Sequence, residues 1–316
     1  MFAEGVPVLK ILVSGASGFV GRLLVPELAL AGHQVIALVR SGTSLPGKVA
    51  APTDLATLPA DALSGHGPFD AAIHLAALNP DRSERTSRDE TALLRANRDG
   101  TVALAKAAAT AKIPHFVFLS TANVHGPGNA PIVETSPLRP TTPYARSKAA
   151  AEQALADVAA ATGIRLTVLR PAPVYGPGGR GMIAALQRLA ASRLPVPLPT
   201  GLARRSFVSR VSLVQAIVAV IAREAEASET YGVADEAPMT PEEIIAGLRR
   251  AEGRRPGILP LPTSLLAVAA KPLGGGQTLQ NLQKTFAIDW SKLASQTTWS
   301  PEPDTIAALL RRSPAL

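Results

Sequence analysis

Apolar residues recur in this chain as short unbroken runs. VLKILV at 8–13, QVIALVR at 34–40, FDAAIHLAAL at 69–78, HFVFLST at 115–121 and IRLTVLR at 164–170 each fit a strand buried on both faces. Between them the pattern turns helical: LLVPELALAG after the first run, Ala, Leu and Val on one face from about 89 to 112, and an alanine-rich stretch from 144 to 161. Pro26 inside the first helix predicts a kink. Strand, turn and helix repeated in this order predict an α/β fold, a doubly wound parallel sheet over residues 1–170 with helices on both faces.

Beyond Arg170 the texture changes. PAPVYGPGG is a turn cluster, a helix is predicted from about 182 to 192, and LPVPLPTG reads as proline-rich extended chain. RSFVSRVSLVQAIVAVIA reads as an extended piece feeding a helix, and YGVAD at 231–235 as a last strand. Helices near 240–252, 262–270 and 303–312 follow. Residues 171–316 are therefore expected to form a smaller, mainly helical domain, with the segment 206–234 returning to the sheet. The loop 123–143, rich in Pro, Gly and Asn, is long for a compact domain, and such loops are more often functional than not.

Composition narrows the chemistry. With 316 residues, 47 % of them hydrophobic and 18 % charged, the chain can bury a large core and is not a disordered one. Cysteine is absent, which excludes a disulfide framework and a thiolate nucleophile or metal site. His74 and His115 lack a ligand partner at useful spacing, so both are expected to be structural and no metal is expected. VLKILVSG is broken by Lys10 and no apolar stretch is long enough for a bilayer, so a soluble cytoplasmic protein is expected.

A net charge of +8 raises the question of nucleic acid, but its distribution points elsewhere. From Val158 to Arg223 there is no Asp or Glu, while Arg165, Arg170, Arg180, Arg188, Arg193, Arg204, Arg205, Arg210 and Arg223 fall inside. Dispersed arginines without countercharge suit the wall of a pocket for an anionic small molecule; plain surface charge is the alternative, and no nucleic-acid or membrane partner is expected.

Gly15, Gly18 and Gly21 form GxxGxxG between the first strand and the first helix. Such a turn allows positive φ, rests bare backbone against a pyrophosphate and packs the helix closely on the strand, so a dinucleotide site is expected here. The second strand ends in Arg40 where an acid would hold a ribose hydroxyl. A guanidinium can pair with a 2′-phosphate, which favours NADP(H) over NAD(H); a solvent-exposed or capping Arg40 is the alternative. Asp54, followed by Leu55, could meet the adenine edge or cap the next helix.

In PYARSK at 143–148, the offset of four places Tyr144 and Lys148 on one helical face, a turn apart. An ammonium beside a phenol favours phenolate, and so does a position in the first helical turn, which Pro143 is suited to begin. The pair could pass a proton, or it could be a solvated accident.

The blocks GASGFVG at 15–21, HLAA at 74–77, NRDGT at 97–101, LST at 119–121, YARSK at 144–148 and RPAPVYGPG at 170–178 together resemble the extended short-chain dehydrogenase/reductases, in their NAD-dependent epimerase/dehydratase branch. The segments LPLPTSLLAVAA and FAIDWSKLASQTTWSP resemble nucleotide-sugar members of that branch, the UDP-glucose 4-epimerase-like enzymes and UDP-N-acetylquinovosamine-forming reductases. The resemblance implies a Rossmann-type domain whose cofactor meets Gly15, Ser17, Gly18, Phe19, Val20, Gly21, Leu75, Ala76, Ala77, Asn97, Ser120, Tyr144, Lys148 and Pro171. It implies Tyr144 as general acid/base, Lys148 lowering its pKa and holding the nicotinamide ribose, and Thr121 hydrogen-bonding the reacting oxygen. Thr121 could instead be only a β-branched strand residue.

For substrate, the resemblance implies that Arg205 clamps a diphosphate, with Arg204 or Arg180 assisting and Asn123 in the pocket. Three positions depart from the family pattern: VHG at 124–126 where VYG is usual, Arg180-Gly181-Met182 where an asparagine is common, and Ser212 where an aspartate is expected. Ala122 beside Thr121 argues against a dehydratase. The expected activity is hydride transfer at C4 of a nucleotide sugar, as epimerase or ketoreductase, in a homodimer formed through helices 89–112 and 144–161. An NADPH-dependent reductase of a small ketone or aldehyde, and a non-catalytic dinucleotide-binding regulator, are the alternatives.

Overall fold

The computed structural model describes residues 7–40, 47–79, 89–128, 131–223, 227–262 and 283–311. Seven parallel strands form the main sheet: β1 (Lys10–Ser14), β2 (Gln34–Arg40), β3 (Lys48–Ala51), β4 (Ala71–His74), β5 (His115–Leu119), β6 (Arg165–Pro171) and a strand at Glu229–Val233. Their spatial order is Glu229–Val233, β6, β5, β4, β1, β2, β3. The chain thus winds outward from β1 in both directions, leaving a crevice beyond the carboxyl ends of β1 and β4 where the order reverses.

The strand runs are apolar because helices cover both faces. One core layer joins Ile11, Val13, Ile73, Val117 and Leu169 to α1 (Gly21–Leu30) and the helix Arg210–Ala222. The other joins Leu12, Ala72, Phe116, Phe118 and Val168 to α3 (Gly100–Thr110) and α4 (Pro143–Thr162), with α2 (Glu90–Leu94) lying against α4. Between α2 and α3 the single helix expected at 89–112 widens into a π turn over Arg95–Asp99. Such a turn bulges one residue out of register, and here that residue set includes the buried Asn97.

Glu229–Val233 pairs with β6 in parallel, Glu229 opposite Thr167 and Val233 opposite Pro171, so the sheet's outermost strand comes from beyond residue 170. The smaller C-terminal region is mainly helical, with α5 (Met182–Ala191) and Pro241–Ala251 packed around Ile183, Leu186, Phe207, Ile244 and Leu248. The helix expected at 262–270 falls almost wholly outside the described residues.

LPVPLPTG is more than extended chain: Val196–Pro199 pairs in parallel with Ile258–Leu261. Val196 and Thr200 donate their backbone N–H groups to Gly257 and Leu261, each at 2.9 Å. The alternation of a ladder lets Pro195, Pro197 and Pro199, which have no N–H, face away from the partner. Arg249 closes this region, buried and donating to carbonyls of Leu189, Ala190, Ser192, Leu194, Pro256 and Gly257. No helix among the described residues is long and apolar enough to cross a membrane.

Candidate active site

The glycine turn fills the crevice beside β1. Gly15 sits at φ +74°, and a Cβ on it would lie 2.6 Å from the backbone nitrogen of Ala76. A Cβ on Gly21 would lie 2.3 Å from the Gly15 carbonyl oxygen. Both positions therefore demand glycine, and the close approach brings the turn against Leu75 and Ala76 after β4, just ahead of Ala77. Helix α1 starts without a side-chain cap; the N–H groups of Arg22 and Leu23 are taken by the Gly18 and Val20 carbonyls, and the positive dipole end of the helix favours an anion beside the turn. The chemistry of this cradle fits a dinucleotide pyrophosphate, supplied by Gly15, Ser17, Gly18, Phe19, Val20 and Gly21.

Around the cradle the expected contacts divide. Arg40 is exposed at the end of β2. Asp54 is a cap: Oδ1 accepts from Ala56 N at 3.1 Å, and Oδ2 pairs with Arg95 at 2.6 Å. The capping alternative is thus realised, and it turns both carboxylate oxygens toward the protein. Asn97 braces the strand-end loop, accepting from Leu78 N at 2.7 Å while its amide donates to the Leu78 carbonyl and to Ser147 Oγ. Pro171 is buried at the end of β6.

The reaction face is assembled from β5 and α4. Thr142 caps α4, its hydroxyl accepting from Ala145 N at 3.1 Å, and Pro143 occupies the first turn. Tyr144 follows, half-buried, in that first turn. Lys148 is 1 % exposed. Burial lowers its pKa from 10.5 to about 7, and the nearby Glu152 carboxylate acts in the opposite direction. Thr121 caps the short turn Ala122–Val124, its Oγ1 accepting from Asn123 N at 3.2 Å. That bond uses a lone pair and leaves the Thr121 proton free to be donated.

Behind this face lies a buried polar network that sequence reasoning did not assemble. Ser120 Oγ donates to Glu152, which engages its hydroxyl within the protein at the strand end. Glu152 also takes Arg170 in a two-pronged ion pair, with Nη2–Oε2 at 2.6 Å. Arg170 reaches His125 Nε2 at 3.1 Å and the Glu134 carbonyl at 2.8 Å. His125 is thus turned under the Ala122–Val124 turn, against Arg170. The spacing of four from Tyr144 to Lys148 to Glu152 was a signal for Glu152; Arg170 and His125 join only through the tertiary fold.

The two histidines expected to be structural make internal hydrogen bonds. Thr101 Oγ1 donates to the Asn97 carbonyl at 2.6 Å, so it accepts from His74 Nε2 at 2.9 Å, and Nδ1 of His74 is left to accept from Ser14. Burial first and the Lys148 charge second lower the His74 pKa to about 3. His115 bonds Thr167 Oγ1 at 2.9 Å and is lowered likewise by burial, then by Arg165.

The arginine-rich, acid-free stretch does have countercharges in space. Arg170 is paired by Glu152 from α4, and Arg204 by Glu243 and the Pro238 carbonyl from the helix Pro241–Ala251 and its approach. A window free of acids in sequence is bracketed by helices that supply them. Arg205 is largely buried, its guanidinium 4.9 Å from the centre of the Phe286 ring, and burial lowers its pKa. Arg180 is exposed. Arg210, at the start of its helix, lies over the Phe19 ring of the glycine turn at 4.9 Å, a contact the sequence offered no sign of. Ser212 is buried in the same helix, where its carbonyl accepts from Trp299 Nε1 at 2.9 Å.

A doubly wound sheet, a glycine cradle at its switch point and a Tyr-Lys helix beside a Ser-Thr strand end define a dinucleotide-dependent short-chain oxidoreductase fold. The chain belongs to the NAD dependent epimerase/dehydratase family, whose model matches residues 11–234. It is similar to UDP-glucose 4-epimerase of Vibrio cholerae, 28 % identical over 309 residues, covering 94 % of this chain and 92 % of the relative. A 3-diazoavenalumate denitrifying reductase of a Streptomyces species is 32 % identical over 315 residues, covering 93 % and 96 %. Among solved structures, RMD of Pseudomonas aeruginosa complexed with NADPH superimposes with a TM-score of 0.72 at 25 % identity, covering 95 % of this chain and 96 % of the other.

Proposed function

We propose that this protein is an oxidoreductase that transfers hydride at C4 of a nucleotide sugar with a UDP moiety, as a 4-epimerase or 4-ketoreductase. The observation that carries the reading is Lys148, fully buried one turn beyond Tyr144 in the first turns of α4. An ammonium held there by a protein that must desolvate it serves a charge-dependent task. A nicotinamide dinucleotide in the glycine cradle supplies the hydride acceptor or donor. Tyr144 takes the proton of the C4 hydroxyl or returns it, Lys148 and the helix dipole favour the phenolate, and Thr121 donates to the reacting oxygen. Arg205, with its face on Phe286, receives the substrate diphosphate, and Asn123 lines the sugar side.

A second reading, reduction of a small carbonyl or related group by NADPH, draws support from two observations. Arg204 is engaged with Glu243 and not open to a phosphate, and the Streptomyces reductase resembles the chain over nearly its whole length. Isothermal titration of the cofactor-loaded protein against UDP, other nucleoside diphosphates and simple sugars separates the two. UDP binding supports the first reading. Failure of every nucleoside diphosphate to bind places the small-carbonyl reductase ahead.

A further inference from the structure

Where the family pattern has tyrosine, His125 stands at the end of the turn that Thr121 caps, and it is 6 % exposed. Its hydrogen bonds fix its state. Nδ1 faces the Pro137 carbonyl at 3.3 Å, an acceptor only, so the ring proton sits on Nδ1. Nε2 faces Arg170 Nη1 at 3.1 Å, a donor only, so Nε2 must carry a lone pair. The neutral Nδ1–H ring therefore completes both contacts, whereas an imidazolium would set one N–H against another and one cation against another.

We propose that His125 is a positioning residue: as a neutral imidazole it moors the Ala122–Val124 turn to Arg170 and so holds the Thr121 hydroxyl at the reacting oxygen. The inference rests on the reading in which Thr121 hydrogen-bonds that oxygen. The mooring post is itself rigid, since Glu152 of α4 grips Arg170 by Nε and Nη2, and Glu152 also takes the Ser120 hydroxyl from the strand end next to Thr121. One side of the turn is thus fixed by Ser120 and the other by His125, both through the Glu152–Arg170 pair.

Protonation has a definite direction. Burial and Arg170 hold the His125 pKa below 6.5, against the raising influence of the Pro137 and Ser136 carbonyls and of Glu152. Those are the groups that face the ring: Arg170 from β6, Glu152 from α4 and the carbonyls of the 123–143 loop. The Glu134 carboxylate is occupied with Gly232 N at 3.1 Å. As pH falls through that lowered pKa the histidine gains a proton, the contact with Arg170 is lost, and the turn that carries Thr121 is released.

The test compares three full-length variants. His125→Gln retains an acceptor for Arg170 but does not titrate, His125→Leu removes the acceptor, and Thr121→Val removes the hydroxyl being positioned. His125→Gln should keep kcat at pH 8 within about twofold and extend activity to lower pH, while His125→Leu should lose about ten- to hundredfold in kcat with little change in KM. If Thr121→Val slows turnover but both His125 variants match the parent protein at every pH, the inference fails. If Thr121→Val leaves turnover unchanged, the underlying role of Thr121 fails instead, and the inference with it. A readout that needs no substrate is the Thr121 methyl resonance. As pH is lowered it should shift with His125 protonation in the parent protein and stay flat in His125→Gln; identical behaviour in both overturns the proposal.

Discussion

Lys148 Nζ lies 4.0 Å above the centre of the Phe118 ring, on the strand side of α4. The ring face attracts the ammonium, yet a desolvated charge needs more than one such contact, and burial still brings the lysine pKa down to about 7. In the unfolded chain the same group titrates near 10.5. Between those values the unfolded state binds more protons, so this residue makes the protein less stable at neutral pH and the penalty fades as pH rises toward 10.5. Lys148→Met should accordingly raise the free energy of unfolding at pH 7 by an amount on the order of a few kcal/mol, and Tm with it, and flatten the rise in stability between pH 7 and 10.5. Thermal denaturation across that range checks it; an unchanged slope defeats the expectation.

Tyr144→Phe should leave the affinity for cofactor nearly intact and reduce turnover by roughly 10² to 10⁴. The measurement is steady-state kinetics beside a fluorescence titration with NADPH. Turnover equal to that of the parent protein would remove Tyr144 from the mechanism.

Arg40 is exposed at the end of β2, and the proposal that it pairs with a 2′-phosphate has a direct test. NADPH should bind more tightly than NADH, and Arg40→Ala should abolish most of the difference. Equal affinities in the unaltered protein would show that the preference is absent or set elsewhere.

Arg205 and Arg204 should behave differently although adjacent. Arg204 is held by Glu243 at an exposed site, so Arg204→Ala should change UDP affinity by less than about threefold. If Arg205 receives the diphosphate as proposed, Arg205→Ala should weaken it at least tenfold, because a charge-assisted fork to phosphate would be lost. Equal effects of the two substitutions on calorimetric titration would contradict the distinction.

Asp235 accepts Tyr175 Oη at 2.6 Å, Ser209 N at 3.0 Å and Thr305 Oγ1 at 3.2 Å, joining the sheet to the short helix Thr305–Leu310. Burial, outweighing those three bonds, raises its pKa from 3.8 to about 6. The folded state then binds the extra proton between those values, so this carboxyl's contribution to stability falls as pH rises from about 4 to 6. Asp235→Asn, a neutral acceptor, should be neutral or mildly stabilising at pH 7, whereas Asp235→Ala should destabilise by about 2 kcal/mol or more because Tyr175 loses its partner. Urea titrations at pH 4 and 7 decide; equal losses in the two variants would refute the argument.

The sheet was legible because parallel strands covered on both faces must be apolar throughout, as in ILV, AAIH and FVF. KVAA at 48–51 was not, since only Val49 and Ala51 are buried and four residues carry too little pattern. The proline-rich ladder at 196–199 was hidden because the sense of its alternation depends on a partner 62 residues away. At the site, Gly15, Gly21, Tyr144 and Lys148 could be picked out from local spacing alone. The Arg170 and His125 contacts could not, because β6 and the 123–143 loop meet only in three dimensions. For the same reason arginines that looked uncompensated along the chain turned out to have acids facing them.

The edge strand Glu229–Val233 carries a consequence for biosynthesis. Strand β6 is complete at Pro171, but its outer partner is translated almost sixty residues later, after the whole of α5 and the proline ladder strand. During that interval β6 presents its outer row of N–H and C=O groups unpaired, the exposed edge that invites pairing with another chain. The seven-stranded sheet therefore cannot be completed by residues 1–171 as they leave the ribosome: it waits for the later part of the chain to supply its outer strand. Nascent chains halted before and after residue 233 should differ in protease sensitivity at β6, and equal sensitivity would disprove this order of assembly.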